Sequence, residues 1–225
     1  DVTNYVMLEL GQPLHAFDFD KLTNRIEVRA SSSSETITTI DSIERSLSPE
    51  SLVISDGSKP IALAGIMGGL DTEVSEDTNT IFLEAANFNP IRIRRTAQAF
   101  SLHSEASRRF ERGLSPELAE LAIQRAVQIY SKYFGGLQAS TFSDLYPRPF
   151  TSPTITFPST KIESILGMTL ANEEISEILR ALEYDFSHSN ELYSVTPPPW
   201  RTDISIVEDV AEDIVRLVGY DKLAA

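Results

Sequence analysis

Two stretches near the start alternate apolar and polar positions with a period of two: Arg25-Ile26-Glu27-Val28-Arg29-Ala30 and Glu35-Thr36-Ile37-Thr38-Thr39-Ile40-Asp41. Successive strand side chains point to opposite faces, so this pattern predicts half-buried strands. Leu52-Val53-Ile54 and Thr80-Ile81-Phe82-Leu83-Glu84-Ala85 predict shorter, more buried strands. The period then changes. Leu118, Leu121, Ala122, Ile129, Tyr130 and Tyr133 fall along one helical face, with Ser115 as cap, Pro116 at the first helical position and Gly135-Gly136 as the stop. This spacing predicts one long helix with that stripe in the core.

Three prolines in the seven residues Pro147–Pro153 forbid regular helix and favour an extended connector, which predicts two domains, 1–148 and 149–225. After the connector the pattern predicts a strand (Thr154–Phe157), a helix from an Asn172 cap to about Leu182, a strand (Leu192–Thr196), and a helix from about Ile206 to Val218 ended by Gly219. Ile175, Ile178, Leu179 and Leu182 on the first of these helices, and Ile206, Val210, Ile214 and Leu217 on the second, give two apolar faces that can share a small core. Strands first and a long helix late predict an α+β fold: a β-rich domain with one long helix, then a small α+β domain.

Charge narrows the function. With 19 basic against 33 acidic residues the chain has a formal net charge of −14, and the 75 residues after position 150 carry 5 basic and 13 acidic ones. A phosphate backbone is gripped by a basic surface, so independent DNA binding is excluded as a main function. The absence of cysteine removes disulfides and thiolate chemistry and points to a cytoplasmic setting, and three histidines are too few for a histidine metal cage. No apolar run approaches the roughly 18 residues of a membrane span. The chain begins at Asp1 in structured-looking sequence, as a piece of a longer protein does.

Three groups of residues could carry chemistry. Asp209, Glu212 and Asp213 stand at i, i+3 and i+4, with Asp203 shortly before; an all-oxygen set suits Mg²⁺, and equally describes a solvated acidic helix face. Pro60–Gly69 is an apolar segment with three glycines, which serves as a tight core turn or a cavity wall; it lacks the P-loop Lys-Ser/Thr. Arg92, Arg94, Arg95, Arg108, Arg109 and Arg112 fall within 21 residues that hold two acids, and either bind phosphate or neutralise carboxylates.

Five segments in order carry a family resemblance. Val2–Asp18, Gly65-Ile66-Met67-Gly68-Gly69, Leu83-Glu84-Ala85 and His103–Gly113 resemble the B3/B4 module of the bacterial phenylalanyl-tRNA synthetase β chain, and Trp200-Arg201-Thr202-Asp203 through Asp221 is similar to its B5 module. The resemblance implies part of an α₂β₂ ligase that joins phenylalanine to its tRNA with ATP and Mg²⁺, the aminoacylation site lying on the α chain. It assigns editing to B3/B4: hydrolysis of tyrosine mischarged on tRNA(Phe). An apolar pocket cannot strongly reject an analogue that adds one hydroxyl, so a second site must recognise that hydroxyl.

By this resemblance an ionised Glu84 accepts the phenol hydrogen bond, and His15, Thr3 and Asn4 line the site and orient substrate or water. Gly68 and Ala106 leave room for the ring and aminoacyl group, Ser104 stands where the family often has Thr, and Arg108 where it has His. Asp203, Asp209, Glu212 and Asp213 match the family's Mg²⁺ ligands, a site shared with the α chain. Ser104 and Arg108 also sustain the alternative, a structural docking module of the heterotetramer with a degenerate pocket.

Overall fold

The computed structural model describes residues 1–23, 25–135 and 142–223. The chain divides into two compact units, Asp1–Pro147 and Arg148–Ala225.

The first unit runs α1 (Val2–Leu10), β1 (Leu14–Asp18), β2 (Glu27–Ala30), β3 (Thr36–Thr38), β4 (Glu44–Ser46), β5 (Leu52–Ser55), β6 (Pro60–Leu63), β7 (Met67–Gly68), β8 (Ile81–Ala85), α2 (Pro90–Phe100), α3 (Glu105–Phe110) and α4 (Leu118–Phe134). All strand pairing is antiparallel: β2-β5-β6-β7 make a four-stranded sheet, while β1 pairs with β8 and β3 with β4. Two cores result. Val53, Ile54, Ile61 and Leu63 of the sheet meet Phe17, Phe88, Ile93 and Phe110, whereas Val2 and Val6 of α1 meet Ala122 and Ala126 of α4.

The β1–β8 ribbon lies between those cores, and its alternation decides where the site forms. Leu14 and Leu83 face the α1–α4 core; Phe17 and Phe82 face the sheet core. Since residues two apart share a strand face, His15 follows Phe17 and Glu84 follows Phe82, so both point with the aromatic residues toward the sheet core.

The second unit runs β9 (Ile155–Pro158), α5 (Ser159–Leu166), α6 (Asn172–Ala181), β10 (Asp185–Ser189), β11 (Leu192–Thr196) and α7 (Val207–Val218). Its antiparallel sheet has the order β10-β11-β9, and Phe157, Ile162, Ile175, Leu179, Tyr193, Val210 and Ile214 fill one core. The chain is α+β, as its patterns predict.

Several details depart from the pattern. α1 forms where no helix is predicted: the Asp1 carboxylate accepts from the Asn4 N–H, and Gly11 closes the helix at φ +79°. β1, β4, β6, β7, β10, α2, α3 and α5 are likewise additional to the predicted elements. The long helix starts at Leu118, because Ser115-Pro116 first make a turn in which the Leu118 N–H donates to the Ser115 carbonyl. It ends at Gly135; Gly136 lies outside the described residues. Its stripe is only partly buried: Leu121 and Tyr133 are exposed, since α1 approaches along the narrow Ala122–Ala126 track. On α7, Ile206 and Leu217 are exposed and Ala211, Asp213 and Val215 are buried in addition to Val210 and Ile214.

Candidate functional site

His15 stands directly opposite Glu84 in the β1–β8 register, a position in which cross-strand side chains on one face touch. Both line a cavity of about 70 Å³ with Gly65, Met67, Gly68 and Ala106 on its walls. The His15 ring is braced edge-on by Phe17, centroids 4.5 Å apart at 84°.

The glycines of the 60–69 segment make this geometry. A Cβ on Gly68 would lie 2.5 Å from His15 Cε1 and 2.6 Å from Nε2, so the missing side chain is the space the imidazole occupies. The room expected at Gly68 for a ligand is thus taken first by His15. Gly65, at φ +68°, would carry a Cβ 2.9 Å from both Phe88 and Phe110; its turn lets the two rings pack against the backbone, and Phe110 forms a wall of the cavity. Pattern reading does not single out Phe110 or Ile54, which also line the cavity. An apolar residue marks a wall only once the turn that aims it is known.

The electrostatics follow from surroundings that are mostly hydrocarbon. Burial pushes the Glu84 carboxyl up to about 8, because the charged form loses water and gains no cation. Burial alone pulls His15 down to about 4. Although the cavity leaves Glu84 part of its accessible surface, its walls supply no counter-ion, which is what governs the carboxyl. With these shifts the pair at neutral pH is a largely protonated acid facing a neutral imidazole, whereas the resemblance implies an ionised Glu84.

The remaining predicted residues have other partners. Thr3 Oγ1 donates to Asp1 Oδ1 at 2.9 Å and Asn4 Nδ2 to Asp1 Oδ2 at 2.6 Å, at the start of α1; neither side chain lines the cavity. Ser104 caps α3: its Oγ accepts from the Ser107 N–H at 3.0 Å and donates to the Ile66 carbonyl at 2.8 Å. It thereby ties the helix that presents Ala106 to the turn before Met67. Arg108 is exposed beside Glu105.

The four acidic residues of the second unit do not gather into one oxygen cage. Arg201 Nε and Nη2 donate to Asp203 at 2.9 and 2.8 Å, and the same guanidinium donates to both oxygens of Asp213. Tyr184 adds a hydrogen bond to Asp213 Oδ2 at 2.8 Å. Asp209 instead caps α7, accepting from the Ser205 and Ile206 N–H groups at 2.8 and 3.0 Å, and Glu212 pairs with Arg216 at 2.6 Å. Residues 209, 212 and 213 do lie on one helix, but Asp213 is on its buried side and Glu212 on its exposed side. Among the described residues no group of three or more such ligands is arranged to hold a metal. With a guanidinium already between Asp203 and Asp213, the set as it stands does not fit Mg²⁺.

A ribbon that aims one acid and one imidazole into a small cavity, on a unit followed by a compact acidic α+β unit, describes a two-module chain with this cavity in its first module. The chain belongs to the B3/4 domain family, whose model matches residues 1–135, and residues 155–220 match the tRNA synthetase B5 domain. The resemblance drawn from the five motifs therefore holds on both modules.

Among relatives, the chain is 42% identical to the phenylalanine–tRNA ligase beta subunit of Geobacillus kaustophilus over 226 residues, covering 100% of this chain and 28% of that protein. It is 43% identical to that of Carboxydothermus hydrogenoformans over 222 residues, covering 98% and 28%. The chain thus spans 28% of the length of these relatives. A crystal structure of an N-terminal fragment of the phenylalanyl-tRNA synthetase beta subunit from Pyrococcus horikoshii is 16% identical, with a TM-score of 0.48 over 97% of this chain and 64% of the other. Among the described residues no helix is long and apolar enough to cross a membrane.

Proposed function

We propose that the Glu84–His15 cavity is the editing site of a phenylalanine–tRNA ligase β subunit, where a water hydrolyses the ester of tyrosine mischarged on tRNA(Phe). The observation that carries this reading is a carboxyl with no cation partner in an otherwise apolar cavity, opposite an imidazole. A fully enclosed aromatic ring needs a cavity on the order of 150 Å³. A site of about 70 Å³ therefore takes a ring tip first, with the rest of the ligand outside. Phenol oxygen at that tip is what Glu84 can recognise: as the acid it donates its O–H to that oxygen, or accepts the phenol hydrogen at its carbonyl. Phenylalanine offers neither and leaves a buried polar group unpaired, which costs about 1–3 kcal/mol.

His15, neutral at working pH, has an unprotonated nitrogen that can accept a hydrogen bond from water. A group held near 4 is a weak base, so its part is to orient the water more than to strip its proton. Attack on the ester carbonyl releases tyrosine and leaves the tRNA terminus as a free hydroxyl. No serine or cysteine is needed as nucleophile.

On the same reading the full enzyme is an α₂β₂ ligase that consumes ATP with Mg²⁺ in the cytoplasm, its aminoacylation site lies on the α chain, and the second unit contacts that chain. A Mg²⁺ bound there has to draw Asp203 away from Arg201. The second reading, a docking module with a degenerate pocket, is favoured by Thr3, Asn4 and Ser104, whose side chains are spent on internal hydrogen bonds. Deacylation of tyrosyl-tRNA(Phe) by the reassembled α₂β₂ enzyme separates the two. Under the editing reading Glu84→Leu, which can neither donate to nor accept from the phenol, lowers the preference for the tyrosyl over the phenylalanyl ester 10- to 100-fold, the range of one hydrogen bond to such a group. Equal, buffer-level rates for both proteins would leave the docking reading standing.

A further inference from the structure

The six arginines between residues 92 and 112 are the dense block of positive charge in a chain of net charge −14. α2 carries Arg92, Arg94 and Arg95; α3 and the turn after it carry Arg108, Arg109 and Arg112; the two helices pack on each other. In an acidic protein such a block is ordinarily consumed by ion pairs, and here only half of it is. Arg95 meets Glu50 at 3.5 Å, while Arg108 and Arg109 share one carboxylate, that of Glu105. Arg92, Arg94 and Arg112 are exposed and without a carboxylate partner among the described residues. Surface pairs of this kind contribute little and yield readily to a stronger anion.

Position adds to charge. Arg108, Arg109 and Arg112 line one cleft with Gly11, Gly113, Leu114 and a single acid, Glu105. That cleft and the Glu84 cavity are built from the same two segments. Residues 11–15 contribute Gly11 to the cleft and Pro13, Leu14 and His15 to the cavity; α3 contributes Arg108 and Arg109 to the cleft and Ala106 and Phe110 to the cavity.

We propose that this arginine face binds the phosphate backbone of an RNA and delivers its 3′ end to the Glu84 cavity. The proposal rests on the editing reading above and names the residues that position its substrate. Guanidinium forks match phosphate oxygens in pairs, and the acidic remainder of the chain repels a polyanion, so the strand is held only where it leads to the cavity.

The test uses the complete α₂β₂ synthetase with Arg92→Ala, Arg94→Ala and Arg112→Ala combined in its β chain, three side chains that hold no internal ion pair. Two substrates are compared, tyrosyl-tRNA(Phe) and the tyrosyl ester of adenosine, which has no backbone. The expected result is a roughly tenfold higher half-saturating tRNA concentration with the adenosine ester hydrolysed as before. The plot of log affinity against log salt flattens by about 2, near 0.7 for each single-strand phosphate that is no longer neutralised. An unchanged slope, or equal loss on both esters, overturns the proposal. So does a variant that binds tRNA normally but no longer retains the α subunit, which makes the face a protein-docking surface. If the unmodified enzyme hydrolyses neither ester, the editing reading falls and filter retention of uncharged tRNA over the same salt range still decides. There a flatter slope for the variant supports the phosphate-binding face and an identical slope overturns it.

Discussion

Glu84 in the first unit and Asp213 in the second are both acids that folding withdraws from bulk water, and they meet opposite fates. Asp213 is clamped by Arg201 and Tyr184, and the cluster ties α7 to the segment before it and to the sheet side of its own unit. Glu84 has no cation partner among the described residues and faces a cavity. A buried charge with good partners is structure, whereas a buried acid without them stores an unmet hydrogen bond that a ligand can satisfy. The same chemical group thus serves as a strut in one unit and as a sensor in the other.

The comparison breaks most visibly at Asp213. Asp213→Ala leaves the Arg201 guanidinium and the Tyr184 hydroxyl without their shared acceptor, at a cost of about 3 kcal/mol, the low end for a buried pair because Arg201 is a quarter exposed. Urea unfolding of the chain reads this directly; a loss below about 1 kcal/mol would show that the clamp is not a strut. Glu84→Gln should raise stability at neutral pH, since an amide of the same shape avoids holding in the fold a proton that the unfolded chain has already released.

Gly68→Ala strikes the sensor from the other side. The new Cβ meets the His15 ring at 2.5 Å, so the ring or β7 must move, at about 1–3 kcal/mol. Tyrosyl ester hydrolysis should fall with it. A variant that edits at the parental rate would remove His15 from the mechanism, because its ring cannot keep its present place.

The pH dependence sharpens the contrast. Glu84, raised to about 8, keeps its proton in the fold after the unfolded chain has lost it, so its contribution is complete at low pH and declines from about pH 4.5 to 8. His15, lowered to about 4, works in the opposite sense: the unfolded chain takes a proton below about pH 6.5 that the fold refuses, so stability rises from about pH 4 to 6.5. The two roughly cancel there. Above pH 6.5 only the Glu84 loss remains, with a slope of at most about 1.4 kcal/mol per pH unit. Urea midpoints of the parent and Glu84→Gln from pH 6.5 to 8 check it: parental stability should drop relative to the variant, and parallel curves would mean that Glu84 is solvated.

How much of this the amino-acid pattern reveals depends on how local the cause is. Strands β2, β5 and β8, helices α4, α6 and α7, and the break between the units follow from period, closing glycines and prolines close in sequence, although neither Ser115 nor Asn172 caps the helix it is expected to start. α1 is opaque because Val2-Thr3-Asn4-Tyr5-Val6 is rich in β-branched and aromatic residues, and tertiary contact with Ala122 and Ala126 overrides that propensity. His15, Glu84, Gly68 and Ala106 stand far apart in sequence and are brought together by the β1–β8 pairing and the turn at Gly65. No spacing rule encodes that juxtaposition; the motif resemblance points to it. The acidic spacing on α7 misleads for the converse reason. Three carboxylates at i, i+3 and i+4 span more than the solvent face, and Arg201, from outside the helix, claims the one that turns inward.

The smallest effect concerns Ser104, whose hydroxyl links α3 to the cavity wall through the Ile66 carbonyl. Removing it in Ser104→Ala forfeits the cap on Ser107 and leaves that carbonyl a bond short, about 1 kcal/mol. Ser104→Thr keeps the hydroxyl and adds one methyl at a half-buried position, so stability should stay within about 0.5 kcal/mol of the parent. Activity divides the alternatives more sharply than stability does. If Ser104 acts only by fixing α3, the threonine variant should edit like the parent and the alanine variant should lose rate on tyrosyl and phenylalanyl esters alike. If its hydroxyl touched the substrate, the alanine variant would instead change the ratio between the two esters. The cap geometry favours the first outcome, because both hydrogen-bonding directions of the hydroxyl are already engaged within the protein.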